Sequence, residues 1–283
     1  MIMNAKNRII IAALAALGLA QPVTSQASLL GYWRFDEGTG TTAVDFSGNG
    51  YTATYNAGTQ GQIAGWVGGV TTGPTRPAAT PGSGDNAWQS DGFNSSARVT
   101  SAGFLSAMSG ATNFSLSMWM NHNGGQTYPN MFAFMDGNTR RWFTQLGSGG
   151  DQVMYSWGLS PNHNIGSPQG NPPDDVWRHY VFTMQAGVGF KLYVNGVQAY
   201  SSASSSALGN ITSFQIGGSS YNNGTFTSID GAIDEVAVWN NHLTAAEVTT
   251  IYNGGTPLNL VPEPTSLALL GFAGLAFTRR RRR

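Results

Sequence analysis

The stretch FKLYVNGVQAY, residues 190–200, predicts a β-hairpin. Two runs rich in β-branched and aromatic residues flank the dipeptide Asn195-Gly196. Asn and Gly both tolerate a positive φ, which a two-residue type I′ turn requires at its central positions. This tight turn therefore indicates two antiparallel strands.

Short apolar runs bounded by turn residues recur along the chain, at residues 114–120, 177–183 and 231–239. The first of these alternates apolar and polar residues in its first half, as a half-buried strand does. No internal repeat and no long helical period accompanies them. Regularly spaced short strands of this kind are typical of a β-sandwich or jelly roll.

One short helix is predicted after the last of these strands. Thr244 precedes Glu247 by three residues, the spacing of a capping box, in which each side chain bonds to the other residue's backbone N–H. Gly254 is placed to end the helix, because glycine readily adopts the left-handed conformation that follows a helix C-terminus. The chain beyond it, residues 255–260, is interpreted as a linker.

Composition excludes several classes of function. Charged residues make up only 10% of the chain, and there is no cysteine, which excludes disulfides and thiolate metal sites. Residues 28–260 contain seven basic and 13 acidic residues, a formal net charge of −6. Non-specific nucleic-acid binding needs clustered Lys and Arg, so we expect no nucleic-acid partner.

The N-terminal residues 1–27 are typical of a secretory signal peptide. Lys6 and Arg8 precede an apolar run at residues 9–20, and a small-residue cleavage site ends at Ala27. The alternative is a buried helix, but neither caps nor a polar face support one. We therefore expect an exported protein whose mature chain begins near Ser28.

The C-terminal residues 261–283 combine three features: a Pro-Glu-Pro motif, an apolar run at residues 267–277 and five arginines. The apolar run is too short to cross a bilayer comfortably, since about 20 residues are needed. The arginines favour the cytoplasmic side of a membrane. The run is interpreted as a short transmembrane helix, separate from the domain, that anchors the chain transiently; a simple permanent tether is the alternative.

This three-part tail resembles the PEP-CTERM sorting signal of Gram-negative bacteria. The resemblance implies processing by an exosortase-type enzyme near the motif, and residence in the cell envelope or outside the cell after transient anchoring in the inner membrane. The motif comprises Pro262, Glu263 and Pro264, and the basic cluster comprises Arg279, Arg280, Arg281, Arg282 and Arg283.

A second resemblance covers the body of the chain, which is similar to the laminin-G-like branch of the concanavalin A-like lectin/glucanase superfamily. It implies an all-β jelly-roll sandwich of two antiparallel sheets at residues 28–254, with neighbouring terminal strands and one short C-terminal helix. Residues 58–92 and 121–172 carry no motif of the family and are expected to form loops or divergent strands. The matching blocks are residues 31–38, 45–50, 177–179, 192–196, 233–236 and 243–247.

A structural calcium site is predicted in the loop that begins at Asp45. Asp45 and Asn49 supply hard oxygen ligands, and Gly48 allows a backbone carbonyl to turn inward. The resemblance implies that the last strand lies beside the first, which would bring Asp234 or Glu235 to the same ion. The alternative is that Asp45 makes only a local Asx-type turn.

No catalytic residues are predicted. Related glucanases carry a Glu-x-Asp-x-x-Glu run, which this chain lacks, and the four histidines have no metal-binding spacing. Glycan binding is the candidate function that remains once catalysis and a histidine metal site are set aside. Trp142, Tyr155 and Trp157 lie in a stretch rich in polar side chains and are the candidate ligand-binding residues, with burial in the core as their alternative.

These observations favour an exported, non-enzymatic binding or matrix module, with an extracellular polysaccharide or a surface protein as its ligand. Two alternatives stay open. One is a structural surface protein that binds nothing. The other is a divergent glycoside hydrolase or lyase.

Overall fold

The structure is a computed structural model that describes residues 28–56, 66–68, 86–92, 95–122, 128–147, 154–158, 162–166, 176–203, 205–221 and 225–260. Within these ranges, 18 strands and two α-helices are formed. The strands are β1 (Leu29–Trp33), β2 (Thr42–Ala43), β3 (Ala53–Asn56), β4 (Trp66–Gly68), β5 (Asn86–Asp91), β6 (Ser96–Val99), β7 (Asn113–His122), β8 (Asn130–Asp136), β9 (Thr139–Leu146), β10 (Met154–Trp157), β11 (His163–Gly166), β12 (Arg178–Gln185), β13 (Gly189–Val194), β14 (Val197–Ser202), β15 (Ser213–Ile216), β16 (Gly218–Tyr221), β17 (Thr225–Ser228) and β18 (Asp230–Trp239). The helices are α1 (Ala102–Met108) and α2 (Ala245–Tyr252), and a 3₁₀ helix follows at Pro257–Leu260.

Two antiparallel sheets contain most of these strands, which confirms the predicted all-β sandwich. Sheet A has the order β14-β13-β12-β7-β18-β5-β4, and β1 pairs with β18 beside β5. Sheet B has the order β11-β10-β9-β8-β15-β6-β3-β2, and β16 and β17 form a separate hairpin. β4, β5 and β8–β11 are the divergent strands expected in the two stretches without family motifs.

The hairpin at residues 190–200 has the predicted turn. Asn195 and Gly196 have φ values of 50° and 78°, as a type I′ turn requires. The Asn195 side chain also accepts a hydrogen bond from the backbone N–H of His179, at 2.9 Å. The turn is therefore fixed to the neighbouring strand β12 as well as to its own two strands.

Gly196→Ala should lower the free energy of unfolding by about 2 kcal/mol, because alanine is strained at this φ and has no space. A Cβ at this position would lie 2.8 Å from Cδ1 of Tyr252 in α2. Urea unfolding monitored by fluorescence measures the loss. Gly187→Ala is the matched control: its φ is 73°, but no atom lies within 4 Å of a Cβ there. Equal losses in both variants would show that the contact with α2 contributes nothing.

The core lies between the two sheets. Alternate side chains of each strand point inward, since successive residues of a strand face opposite sides of the sheet. The inward side chains form one large apolar cluster, rich in aromatic rings, to which α1 contributes Phe104 and Met108. Helix α1 was not predicted, because it has only seven residues, and its N-cap residue Ser101 makes no side-chain capping hydrogen bond.

A second apolar cluster covers the outer face of sheet A. Tyr32 and Trp239 of the sheet pack there with Val248 and Ile251 of α2. The cluster also includes Leu260, which is only 8% exposed. The segment predicted as a linker, residues 255–260, thus includes the 3₁₀ helix Pro257–Leu260 and packs on the sheet through its buried leucine.

The first and last strands are neighbours, as the resemblance implied. β1 pairs with β18 from Leu29↔Trp239 to Trp33↔Val236, and the backbone N–H of Asn240 donates to the carbonyl of Ser28. After β18, the capping box of Thr244 and Glu247 is present at the start of α2. Gly254 follows the helix with a φ of 99°, as predicted for its end.

Candidate functional site

The carboxylate of Asp45 is surrounded by hydrogen-bond donors from the protein. Oδ1 accepts from the backbone N–H groups of Tyr32 and Ser47, at 2.9 and 2.8 Å. Oδ2 accepts from the Ser47 hydroxyl and from the Tyr51 N–H, both at 2.8 Å. The bond from Tyr32 attaches the loop to β1. The bond from Ser47 N–H forms the Asx-type turn that is the alternative to calcium binding.

The other predicted calcium ligands do not complete a metal shell in this arrangement. Asn49 directs its amide nitrogen, not its oxygen, at the carbonyls of Leu29 and Leu30, at 3.0 Å each. Gly48 has a φ of 90°, so its backbone makes the sharp turn that was expected. Among the residues described here, no three acidic or histidine side chains converge as a ligand group. These residues do not fit a calcium ion as they stand, so calcium binding stays a prediction of the sequence alone that this arrangement does not support.

Thermal unfolding in excess chelator and in millimolar calcium tests that prediction. We expect the same melting temperature in both, because protein donors already fill the oxygens of Asp45. Magnesium at equal concentration is the control for ionic strength. A rise of several degrees with calcium alone would show that the loop rearranges to bind the ion.

Asp234 and Glu235 lie at a β-bulge in β18. β18 pairs with β5 through Asp230–Ile233 and with β1 through Val236–Trp239, so the bulge falls between these two neighbours. Glu235 has a φ of 53°, which is unusual for a residue other than glycine. Both side chains are buried, with 0% of Asp234 and 4% of Glu235 exposed.

Glu235 belongs to a buried ionic cluster around Arg34. The Arg34 guanidinium lies 2.6 Å from Oδ2 of Asp36 and 3.7 Å from Oε1 of Glu235. Oε2 of Glu235 accepts from the hydroxyl of Tyr32, and burial raises the pKa of that hydroxyl. Phe46 packs over the guanidinium at 5.1 Å. Two carboxylates thus share one arginine, so their role in this arrangement is ionic pairing within the protein.

His179 is buried on the outer face of sheet A between aromatic rings. Its ring lies 5.1 Å from that of Trp119 and stacks on Tyr252 of α2 at 6.1 Å. Nε2 shares a hydrogen bond of 2.7 Å with the hydroxyl of Ser117. Burial lowers the pKa of His179 to about 3, because the charged ring would lose its hydration. These contacts are those of a hydrogen-bonded structural residue.

The structure corrects the prediction for Trp142. This side chain is fully buried in the core, where it packs on Phe132 and Phe134, and its Nε1 donates to the hydroxyl of Ser156. A ligand has no access to it, because β8 and β9 place it between the sheets. Tyr155 and Trp157 have their backbone in β10, while their side chains lie outside the described part of the structure, so their role stays a prediction.

A cavity of about 440 Å³ opens on the outer face of sheet A, beside the start of α2. Thr183 and Lys191 point into this face, because their neighbours Phe182, Met184, Phe190 and Leu192 belong to the core. The segment that leads into α2 forms one wall, and it is held by the Leu243 N–H, which donates to Ser115 Oγ at 2.8 Å. The polar lining residues are Thr183, Gln185, Lys191, Ser201, Ser202 and His242.

None of these lining residues was singled out from the sequence. Their polar character is ordinary for strand residues that face solvent, so the sequence alone does not distinguish them from any other exposed face. The one available signal is the alternation in β13, where Lys191 lies between Phe190 and Leu192. These residues form a cavity only because the segment at Leu243 builds a wall beside them. That wall depends on a hydrogen bond to Ser115, which is 128 residues away in the sequence.

The two terminal predictions concern residues outside the described ranges. These are the signal peptide with its cleavage site at Ala27, and the sorting signal at residues 261–283. Within the described ranges, no helix has both the length and the apolar character that a membrane span requires.

Two family models match the chain. Residues 91–249 match the model described as concanavalin A-like lectin/glucanases superfamily, and residues 260–283 match the PEP-CTERM protein-sorting motif. The second match confirms the resemblance of the tail and indicates export and association with the cell envelope through an exosortase-type system. No curated protein matches the chain at a significant level.

Solved structures share the fold at low sequence identity. Domain 4 of the arabinanase AbnA from Geobacillus stearothermophilus, solved with arabinotriose, has a TM-score of 0.58 and 22% identity, and the match covers 81% of this chain and all of that domain. The Trypanosoma rangeli sialidase has a TM-score of 0.54 and 15% identity over 80% of this chain and 32% of the sialidase. The binding domain of Paraclostridial Mosquitocidal Protein 1 has a TM-score of 0.55 and 15% identity over 80% of this chain and 52% of that protein. The sandwich fold and the match over more than half of the chain together show that this protein belongs to the concanavalin A-like lectin/glucanase superfamily.

Proposed function

We propose that the protein is an exported carbohydrate-binding module of the cell envelope or extracellular polymer, and that the cavity on the outer face of sheet A holds its ligand. The observation that carries this proposal is the lining of the cavity. Hydroxyl, amide and ammonium groups line about 440 Å³ of open space together with the apolar side chains of Val188, Ala203 and Leu243. The polar groups can form the hydrogen bonds that orient a sugar.

The tail and the fold support the same proposal. The PEP-CTERM motif directs the chain to the envelope, where polysaccharides are available as ligands. A domain with this fold was solved in complex with arabinotriose, so the sandwich is compatible with saccharide binding. At 22% identity, that likeness supports the fold but not the ligand or the position of the site.

Binding, and not hydrolysis, suits the cavity. Glycoside hydrolysis requires two carboxyl groups on either side of the scissile bond. The residues that line the cavity include neither Asp nor Glu. The buried carboxylates of Asp36 and Glu235 are paired with Arg34 instead, and that of Asp45 is filled by donors. The module would therefore hold a polysaccharide without cleaving it.

Affinity electrophoresis through gels that contain soluble polysaccharides tests the proposal, with the full chain purified in mild detergent. We expect retardation by at least one polymer, and loss of that retardation in Ser201→Trp, which places a ring in the cavity. The matched control is Thr54→Trp, since Thr54 is exposed on β3 of sheet B, away from the cavity. Retardation that survives Ser201→Trp would place the site elsewhere, and a complete lack of retardation would overturn carbohydrate binding.

A further inference from the structure

The floor of the cavity is a row of three side chains on adjacent strands. Thr183 of β12 lies opposite Lys191 of β13, and Lys191 lies opposite Ser201 of β14. Neighbouring strands are about 4.8 Å apart, so the row presents a hydroxyl, an ammonium and a second hydroxyl at regular intervals. An extended polyol that crosses the strands meets one of these groups after another.

Lys191 is the one cation of this floor, and it is exposed. It forms no ion pair with any residue in the described ranges, whereas Arg34 and Arg141 are both paired with carboxylates. The sequence contains only one other lysine, Lys6, in the predicted signal peptide. A body with a formal charge of −6 thus exposes its single lysine in a cavity whose lining has no acidic residue.

We propose that Lys191 selects an acidic sugar, whose carboxylate or sulfate binds its ammonium while neighbouring sugar hydroxyls bind Thr183 and Ser201. This inference rests on the proposed function and names the ligand class of the same site. An acidic peptide fits less well. The backbone groups of β13 are already paired with β12 and β14, so a peptide on the floor cannot pair with β13 as a further strand.

Matched pairs of polymers test the charge directly. Polygalacturonate, polymannuronate and hyaluronate are each compared with their neutral methyl esters in affinity electrophoresis of the full chain. We expect the acidic form of at least one polymer to bind about tenfold more tightly than its ester, as one charge-assisted hydrogen bond provides. Lys191→Met should remove this preference, whereas Lys191→Arg, which keeps the charge, should retain most of it.

The outcomes separate the two proposals. Equal binding of acidic and esterified polymers by the unmodified chain overturns the role of Lys191 and leaves carbohydrate binding intact. A preference for the acid that persists in Lys191→Met also overturns that role. If no polymer of either kind binds, both proposals fail.

A second measurement does not depend on any variant. Because Lys191 is the only lysine after residue 6, an acetylating reagent modifies one side-chain amine of the mature body, and mass spectrometry follows that modification. A saturating acidic polymer should slow the acetylation of Lys191 several-fold relative to the N-terminal amine of the same molecule. Equal protection by the acidic polymer and by its ester would contradict selection of the charge.

Discussion

Replacing Arg34 with methionine should lower the free energy of unfolding by about 3–5 kcal/mol, as expected when one partner of a buried ionic cluster is removed. The substitution keeps most of the apolar volume but leaves the carboxylates of Asp36 and Glu235 buried without their cation. The side chains of Arg34, Asp36 and Glu235 are only 5–7% exposed, so water cannot replace the lost charge. Urea unfolding at pH 7 measures the effect.

The control is Arg141→Met, which breaks the ion pair with Asp136 at the surface. The side chains of that pair are 41% and 24% exposed, so solvent screens it and we expect little change in stability. Adding Glu235→Gln to the Arg34 variant should restore part of the loss, because it removes one of the uncompensated charges. If Arg34→Met and Arg141→Met have equally small effects, the cluster around Arg34 is not what holds β1 to the bulge of β18.

Mild acid should destabilise the domain through His179. Unfolded histidine takes up a proton near pH 6.5, whereas the pKa of His179 in the folded protein is about 3. Between these values the unfolded state binds the extra proton, so stability is complete above pH 6.5 and is lost as the pH falls towards 3. The slope is at most about 1.4 kcal/mol per pH unit, which amounts to a loss of about 2 kcal/mol between pH 7 and pH 5.

The free energy of unfolding, measured at several pH values for the unmodified chain and for His179→Gln, separates the contribution of His179 from that of the other titratable groups. We expect a clearly flatter profile between pH 7 and pH 5 in the variant, whatever its absolute stability, because glutamine does not titrate. His163→Gln is the comparison, since burial lowers the pKa of His163 as well, but this ring is less buried than that of His179. Parallel profiles for the unmodified chain and His179→Gln would show that His179 is not the titrating group.

Local patterns in the sequence predict several elements well. The turn at Asn195-Gly196 and the capping box of Thr244 and Glu247 were both correct, because each depends on the chemistry of a few consecutive residues. The pairing of β1 with β18 followed from the family resemblance, since nothing local connects strands so far apart.

The cavity could not be predicted in the same way, because long-range packing and register shifts determine which residues line it. A two-residue turn that pairs Val194 with Val197 would, in unbroken register, place Lys191 opposite Tyr200. A bulge between Leu192 and Tyr193 shifts the register by one residue and places Ser201 there instead. Trp142 shows the same limit, since its burial depends on how the two sheets pack.

The bulge at Glu235 likewise creates contacts of an acidic residue that the sequence does not predict. In a regular strand, the adjacent residues Asp234 and Glu235 would face opposite sides of the sheet. The positive φ of Glu235 interrupts that alternation and brings its carboxylate to Tyr32 and Arg34. A sequence pattern does not show such a bulge, because the residue that adopts the positive φ is not a glycine.

The position of β18 also determines when the domain can fold. This strand is the last one in the described part of the chain, yet it lies inside sheet A, between β7 on one side and β5 and β1 on the other. Tyr32 and Glu235, which meet across this junction, are 203 residues apart, and contacts between such distant residues form slowly. The centre of sheet A therefore stays unfilled until residue 239 is available to pair. Folding of this sandwich is thus a late event that needs almost the whole domain to be present, and a domain cut short before β18 would lack the strand that joins the two parts of the sheet.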